Sequence, residues 1–144
     1  SDVCSSDLLK ENGRLYIAIE NRLGAKYFSG CKEDHIGKEF VGIEGYPGAI
    51  KARTFSYYEL VEMFKKLKLN NYEFFYPYPD YKFPHVIYSD KYLPGEYEKF
   101  ESASDYTSIR DRYFDENKFL NSLVGKDEFK IFSNSFLVCI RKQV

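Results

Sequence analysis

The stretch Phe55 to Leu67 constrains this chain more than any other. Ser56 is followed three residues later by Glu59. That is the spacing of a capping box, in which each side chain takes up a backbone N–H of the other residue. Phe55 before the cap and Leu60 after it supply the hydrophobic staple. Tyr57, Leu60, Val61, Phe64 and Leu67 then recur at helical spacing and form one apolar stripe. Lys65, Lys66 and Lys68 crowd the last turns, which suits the negative end of the helix dipole, and Asn70-Asn71 ends the helix. A helix with a single apolar stripe must lie against another layer. The runs Arg14 to Glu20 and Tyr72 to Pro77 read as strands.

Arg14-Leu15-Tyr16-Ile17-Ala18-Ile19-Glu20 is nearly continuous in apolar residues, the pattern of a strand covered on both faces. It is entered through Asn12-Gly13, a turn dipeptide that tolerates positive φ, after Leu8 to Glu11, which reads as a helix end. The second strand is expected to stop at Pro77 and Pro79. The segment Tyr76 to Pro84 is expected to be neither helix nor central strand. Val86-Ile87-Tyr88 reads as a short extended piece, and Ser89 to Ser108 as surface loop with a turn at Pro94-Gly95. Asp115 caps a short helix, Glu116 to Val124, with Gly125 at C′. Phe129 to Phe132 and Phe136 to Ile140 read as a closing hairpin or a single strand. Between Leu23 and Arg53 fall six glycines (Gly24, Gly30, Gly37, Gly42, Gly45, Gly48). A loop of that length with Tyr27, Phe28, Phe40, Ile43 and Tyr46 reads as an ordered, packed loop or lid. The fold class is α/β, with about three strands, one long and one short helix, and long loops.

Composition excludes several classes of function. The 21 basic and 22 acidic residues leave a net charge of −1, without the basic excess of electrostatic nucleic-acid binding. No apolar run reaches the length needed to span a bilayer. Cys4, Cys31 and Cys139 have neither metal-ligand spacing nor a disulfide framework, which suits a reducing cytoplasm. The first eight residues, Ser-Asp-Val-Cys-Ser-Ser-Asp-Leu, resemble the translation of a short-read sequencing adapter. They read as an artefact scar, or else as a natural Ser/Asp-rich helix cap before Leu8 and Leu9. As a scar they are set aside from fold reasoning, and 9–144 is then expected to be the natural part, a fragment cut at Leu9.

Leu9-Lys10-Glu11-Asn12-Gly13-Arg14-Leu15, followed by an apolar strand, resembles the turn that enters the fifth strand of class I S-adenosylmethionine-dependent methyltransferases. Glu11 stands where that family has proline, and Asn12 where it has the first glycine. Ile19-Glu20-Asn21-Arg22-Leu23-Gly24, Gly42-Ile43-Glu44-Gly45-Tyr46-Pro47, Tyr76 to Pro84 and Asn134-Ser135-Phe136-Leu137-Val138 are similar to a bacterial branch associated with glycosyltransferases and surface polysaccharide. The resemblance implies the C-terminal portion of a seven-stranded Rossmann-like sheet, its last strand antiparallel and lying between the other two. It implies methyl transfer in the parent protein to oxygen or nitrogen of a sugar-related or other small acceptor. The family's glycine-rich cofactor loop and ribose-binding acid have no counterpart here. S-adenosylmethionine is therefore expected to be held by the parent and not to bind well to this chain, which is expected to be inactive alone. Bare sheet edges are expected to favour self-association.

The candidate residues follow from that placement. Glu20, Asn21 and Arg22 lie past the carboxyl end of a strand, where open α/β sheets bind ligands. They are candidates for orienting an acceptor, or an ordinary strand terminus. His35, in Glu33-Asp34-His35, is a candidate base for an acceptor hydroxyl, or a surface histidine. Glu44 and Tyr46 either line an acceptor pocket or form a packed turn. Arg53 either meets an anionic group or makes a surface ion pair. Tyr78 and Asp80, with Tyr76 and Tyr81, offer aromatic faces and a carboxylate for sugar binding, or simply pack the sheet edge. His85 reads as structural. A different class of reading is a non-enzymatic carbohydrate- or protein-binding module. A third is a regulatory remnant paired with an intact methyltransferase.

Overall fold

The computed structural model describes residues 9–48, 52–95, 100 and 109–142. The expectations for residues 1–8, and for 96–99 and 101–108 of the loop, lie outside them. Among the described residues are four strands and four helices. In chain order they are β1 (Arg14–Glu20), α1 (Ala25–Phe28), α2 (Tyr57–Lys66), β2 (Tyr72–Tyr78), β3 (Val86–Ser89), α3 (Glu116–Ser122), α4 (Glu128–Phe132) and β4 (Ser135–Arg141). The strands form one sheet in the order β1-β4-β2-β3, every neighbouring pair antiparallel. Because β4 opposes both β1 and β2, those two strands run parallel to each other with β4 between them.

One face of the sheet carries the core. In register, Leu15, Ile17 and Ile19 stand opposite Ile140, Val138 and Phe136, while Tyr72 and Phe74 stand opposite Ile140 and Val138. Leu60 and Phe64 of α2, Leu120 of α3 and Phe129 of α4 close over this row. Aromatic rings dominate the packing. Phe74 meets Phe136 edge-on at 5.6 Å, and Tyr57 lies 4.7 Å from Phe74. Both geometries suit the ring quadrupole.

The α2 capping box is realised. The Ser56 side chain accepts from the Glu59 N–H, and the Glu59 carboxylate accepts from the Ser56 N–H. The helix ends earlier than Asn70. Lys68 takes φ 57, the Lys68 N–H donates to the Lys65 carbonyl, and the Leu69 N–H to the Phe64 carbonyl. That is a Schellman motif with lysine in the position that favours glycine. It turns Leu69 back onto the core and leaves Leu67 exposed.

Five further expectations need correction. β1 is an edge strand, not one covered on both faces. Its residues alternate, with Arg14, Tyr16 and Ala18 exposed and Leu15, Ile17 and Ile19 half-buried. β2 continues through Pro77, although it is a central strand. Its pairing with β4 ends at Phe75, so the missing N–H of Pro77 falls where only β3 is paired. Phe129 to Phe132 is helical. One turn buries Phe129 and sets Phe132 against Phe28 and Phe119, and only β4 remains of the expected hairpin. α3 stops at Ser122, with Leu123 at its C-cap. Gly125 (φ 72) lies two residues farther on and donates its N–H to the Pro94 carbonyl. The Leu23–Arg53 stretch opens with α1 before it becomes turns.

Lys68→Gly is expected to raise stability by about 0.5–1 kcal/mol, since the left-handed cost removed exceeds the backbone entropy added. Urea denaturation of the pair measures it, and an unchanged midpoint would refute the Schellman account.

Candidate functional site

The carboxyl end of β1 sends three consecutive side chains in three directions. Asn21, in the middle, is fully buried. Its amide donates to the carbonyls of Ile131 (2.8 Å) and Ser133 (2.7 Å), and its oxygen accepts from the Leu23 N–H (3.0 Å). Its backbone N–H donates to the Asn134 carbonyl, and a parallel bridge joins it to Phe55. Asn21 therefore fixes the chain at this point and has little polar capacity left for a ligand.

Glu20 points into a cluster of charges. Its carboxylate lies 2.7 Å from the Lys26 ammonium and 3.8 Å from that of Lys82. Lys26 also stands 3.8 Å from Asp80, and Lys82 pairs with Asp34. The Asp80 carboxylate accepts from the Lys82 N–H at 2.8 Å, the geometry of an Asx-turn. Burial works against the charge on Lys26, but the Glu20 carboxylate outweighs it, and the ammonium is held above its ordinary pKa. Asn134 secures the cluster from behind. It accepts from the Lys26 N–H and donates to the Pro79 carbonyl, both at 3.0 Å.

Arg22 turns toward α2. Its guanidinium donates to the Glu59 carboxylate and to the Gly42 carbonyl, each at 2.9 Å. Arg53 reaches the other oxygen of Glu59 at 2.8 Å and covers the rings of Tyr46 and Phe55 at 5.4 and 5.1 Å. Partial burial opposes the Glu59 charge. The Ser56 N–H and Arg22 more than compensate, and the carboxyl is held below its ordinary pKa.

A third group forms in the loop beyond α1. Glu33 is buried, and its Oε2 accepts from the Tyr46 hydroxyl at 2.6 Å. That phenol oxygen also lies 2.8 Å from the Thr54 hydroxyl and accepts from the Thr54 N–H at 2.9 Å. Burial, followed by the bond to Glu33, pushes the phenol up from its ordinary pKa. His35 Nε2 stands 3.3 Å from the same Glu33 oxygen, and the imidazole ring lies 6.4 Å from that of Tyr46. A carboxylate that orients one imidazole nitrogen leaves the other to serve as a proton acceptor.

The structure thus gathers most of the candidates in pairs. Glu20 and Asp80 meet through Lys26, Arg22 and Arg53 through Glu59, and His35 and Tyr46 through Glu33. Two stand apart. Glu44 is exposed in a turn whose N–H donates to the Phe40 carbonyl. Tyr78 donates its hydroxyl to Asn117 of α3, and its ring lies 4.4 Å from Phe100. Tyr76 is fully buried, and His85 is exposed. Sequence reasoning missed Lys26, Lys82 and Asn134, and saw Glu59 only as a cap and Glu33 only as a neighbour of His35. The spacing of Lys26 from β1 was the one available signal, since a helix following that strand returns its first turn to the strand's end.

Among the described residues, no group of three or more His, Cys, Asp or Glu could hold a metal ion, and no helix is long and apolar enough to cross a membrane. Comparison with protein-family models, curated proteins and solved structures gives no match.

The lowered Glu59 carboxyl sets a pH dependence. Its contribution is complete above the unfolded carboxyl pKa of about 4.3 and is lost as pH falls through the lower folded value. Urea midpoints from pH 6 to pH 3 should therefore fall more for the native chain than for Glu59→Gln, and parallel curves would refute the pairing. Tyr46→Phe removes a partner from the buried Glu33 carboxylate and the Thr54 N–H together. It should cost about 1–3 kcal/mol in the same assay.

Proposed function

We propose that this chain supplies the closing strands of a class I S-adenosylmethionine-dependent methyltransferase domain that acts on a sugar-related or other small acceptor. The observation that carries the reading is the strand order: β4 lies antiparallel between the mutually parallel β1 and β2. The sequence resemblance implies that order for the last strands of such a sheet. Among the described residues β1 has a single strand neighbour, β4, and in this reading its outer edge takes a further strand of the domain. The buried thiol of Cys139, free of any disulfide, is in keeping with a reducing, cytoplasmic setting.

The described residues do not fit the cofactor. The turn after β1 is closed by Asn134, whose Cα would lie 2.9 Å from a Cβ on Gly24. The Asn21 amide is engaged on both sides. In this reading the cofactor's main contacts belong to other strands of the domain. What these residues offer is acceptor chemistry. His35, oriented by Glu33, takes the proton from an acceptor hydroxyl. The charges around Glu20 and Lys26 give hydrogen-bonding partners for neighbouring polar groups.

Resequencing the source DNA across the Leu9 codon tests the reading. The frame upstream is expected to encode a strand, a Gly-x-Gly-type loop and a later Asp or Glu. The chain so extended is expected to bind S-adenosylhomocysteine in calorimetry. His35→Gln in the extended chain should lower kcat on a hydroxyl acceptor by about 10²–10⁴. A natural frame that reads through residues 1–8 to a start codon, with no such loop, would overturn the assignment.

A further inference from the structure

Tyr58 is 65% exposed on the first turn of α2, an unusual place for a large ring with no core to fill. It forms the wall between two clefts. One, of about 430 Å³, runs along the outer side of α2 past Phe55 and Met63. The other, of about 640 Å³, lies between α2 and α4. Each cleft is lined by two cations and two carboxylates: Arg53 and Lys66 with Glu59 and Glu62 in the first, Lys126 and Lys130 with Asp127 and Glu128 in the second.

That arrangement selects a ligand class. A phosphate or sulfate needs a net positive field, and a basic peptide a net negative one. Both clefts are balanced, so neither is favoured. What each cleft presents is a mixture of donors and acceptors beside an aromatic surface. A neutral polyol matches that mixture, because every hydroxyl both donates and accepts, while the C–H face of a sugar ring packs on an exposed aromatic ring.

Several of these groups are held in place before any ligand arrives. Tyr57 meets Tyr58 edge-on at 5.3 Å and is itself packed on Phe74. Lys130 lies between Asp127 (3.4 Å) and Asp90 (3.8 Å). Lys126 donates to the Ser122 carbonyl at 2.9 Å. Such pre-organisation lowers the ordering cost of binding.

We infer that Tyr58 and the two clefts beside it form a binding site for a neutral oligosaccharide, with one ring stacked on Tyr58 and the flanking rings hydrogen-bonded in the clefts. The site does not depend on the methyl-transfer reading, and its first cleft takes in the Arg53–Glu59 pair. It also gives the non-enzymatic module reading its one specific support.

The test uses the 144-residue chain without cofactor, so its outcome is separate from that of the methyltransferase assignment. Amide correlation spectra are recorded as cellotetraose, maltotetraose and chitotetraose are added to millimolar concentration. At least one is expected to shift amides of both α2 and residues 126–131, with an affinity unchanged between low and high salt. Tyr58→Ala, whose exposed ring leaves the core intact, should weaken that affinity about tenfold or more, and Tyr58→Phe should retain it. The inference is overturned if no tetrasaccharide shifts these amides. It is equally overturned if Tyr58→Ala binds as well as the native chain, or if the response requires a charged sugar and disappears with salt.

Discussion

The side-chain amide of Asn21 holds the two halves of this chain together. Two carbonyls from the α4–β4 junction, more than a hundred residues away, converge on its nitrogen, and its oxygen caps the turn to Leu23. The Asn21 amide and the Ser133 carbonyl are buried and the other two partners partly so, and a buried polar group left unpaired costs about 1–3 kcal/mol. The residue therefore fixes three things at once: the point where β1 ends, the approach of β4 from α4, and the entry to α2 through the bridge at Phe55. Glu20 and Arg22 diverge from that fixed point, so their directions are set by the fold and do not depend on a ligand.

The charges around this point are paired before any substrate is considered. Replacing a buried ion pair by apolar groups is often neutral for stability, whereas removing one partner is costly. Lys26 with Glu20 is therefore better understood as a device that selects one arrangement of the chain after β1 than as a source of stability. The Leu23–Arg53 loop needs such devices. Phe40 and Tyr46 both sit at positive φ, a conformation that costs an L-residue roughly 1–2 kcal/mol. The three hydrogen bonds on the Tyr46 hydroxyl offset that cost at Tyr46 and keep His35 beside Glu33.

Elements whose cause is local were legible in the sequence. The α2 capping box needs only Ser56 and Glu59, and the turn at Asn12, with φ 60, needs only a residue that tolerates it. β1, β3 and most of β2 follow from β-branched and aromatic runs. What escaped depends on distant partners. Nothing in Phe129-Lys130-Ile131-Phe132 says that Phe132 meets Phe28 and Phe119, and those contacts favour one helical turn over a strand. Nothing in β1 says that its outer edge has no strand neighbour among the described residues. The site divides along the same line. Glu20 and Arg22 could be named from their place after a strand, and Asp80 from its aromatic, proline-rich segment, but Lys26, Lys82 and Glu59 acquire their roles only through pairings across the fold.

The geometry of the sheet explains why residues so far apart in sequence meet. β1 and β2 are parallel, so their carboxyl ends lie on the same side, and β4 starts there, with Ser135 opposite Glu20. Strands separated by one intervening strand lie about 10 Å apart. A lysine side chain placed midway, extended from the first turn of α1, can reach carboxylates on both sides. Lys26 does so, to Glu20 at 2.7 Å and to Asp80 at 3.8 Å. Were β4 moved to an outer edge, β1 and β2 would become neighbours and the gap would halve. The two carboxylates would then crowd each other with no room for the ammonium between them. The antiparallel strand in the middle is thus both the topological signature of this sheet and the spacer that gives the charged cluster its form.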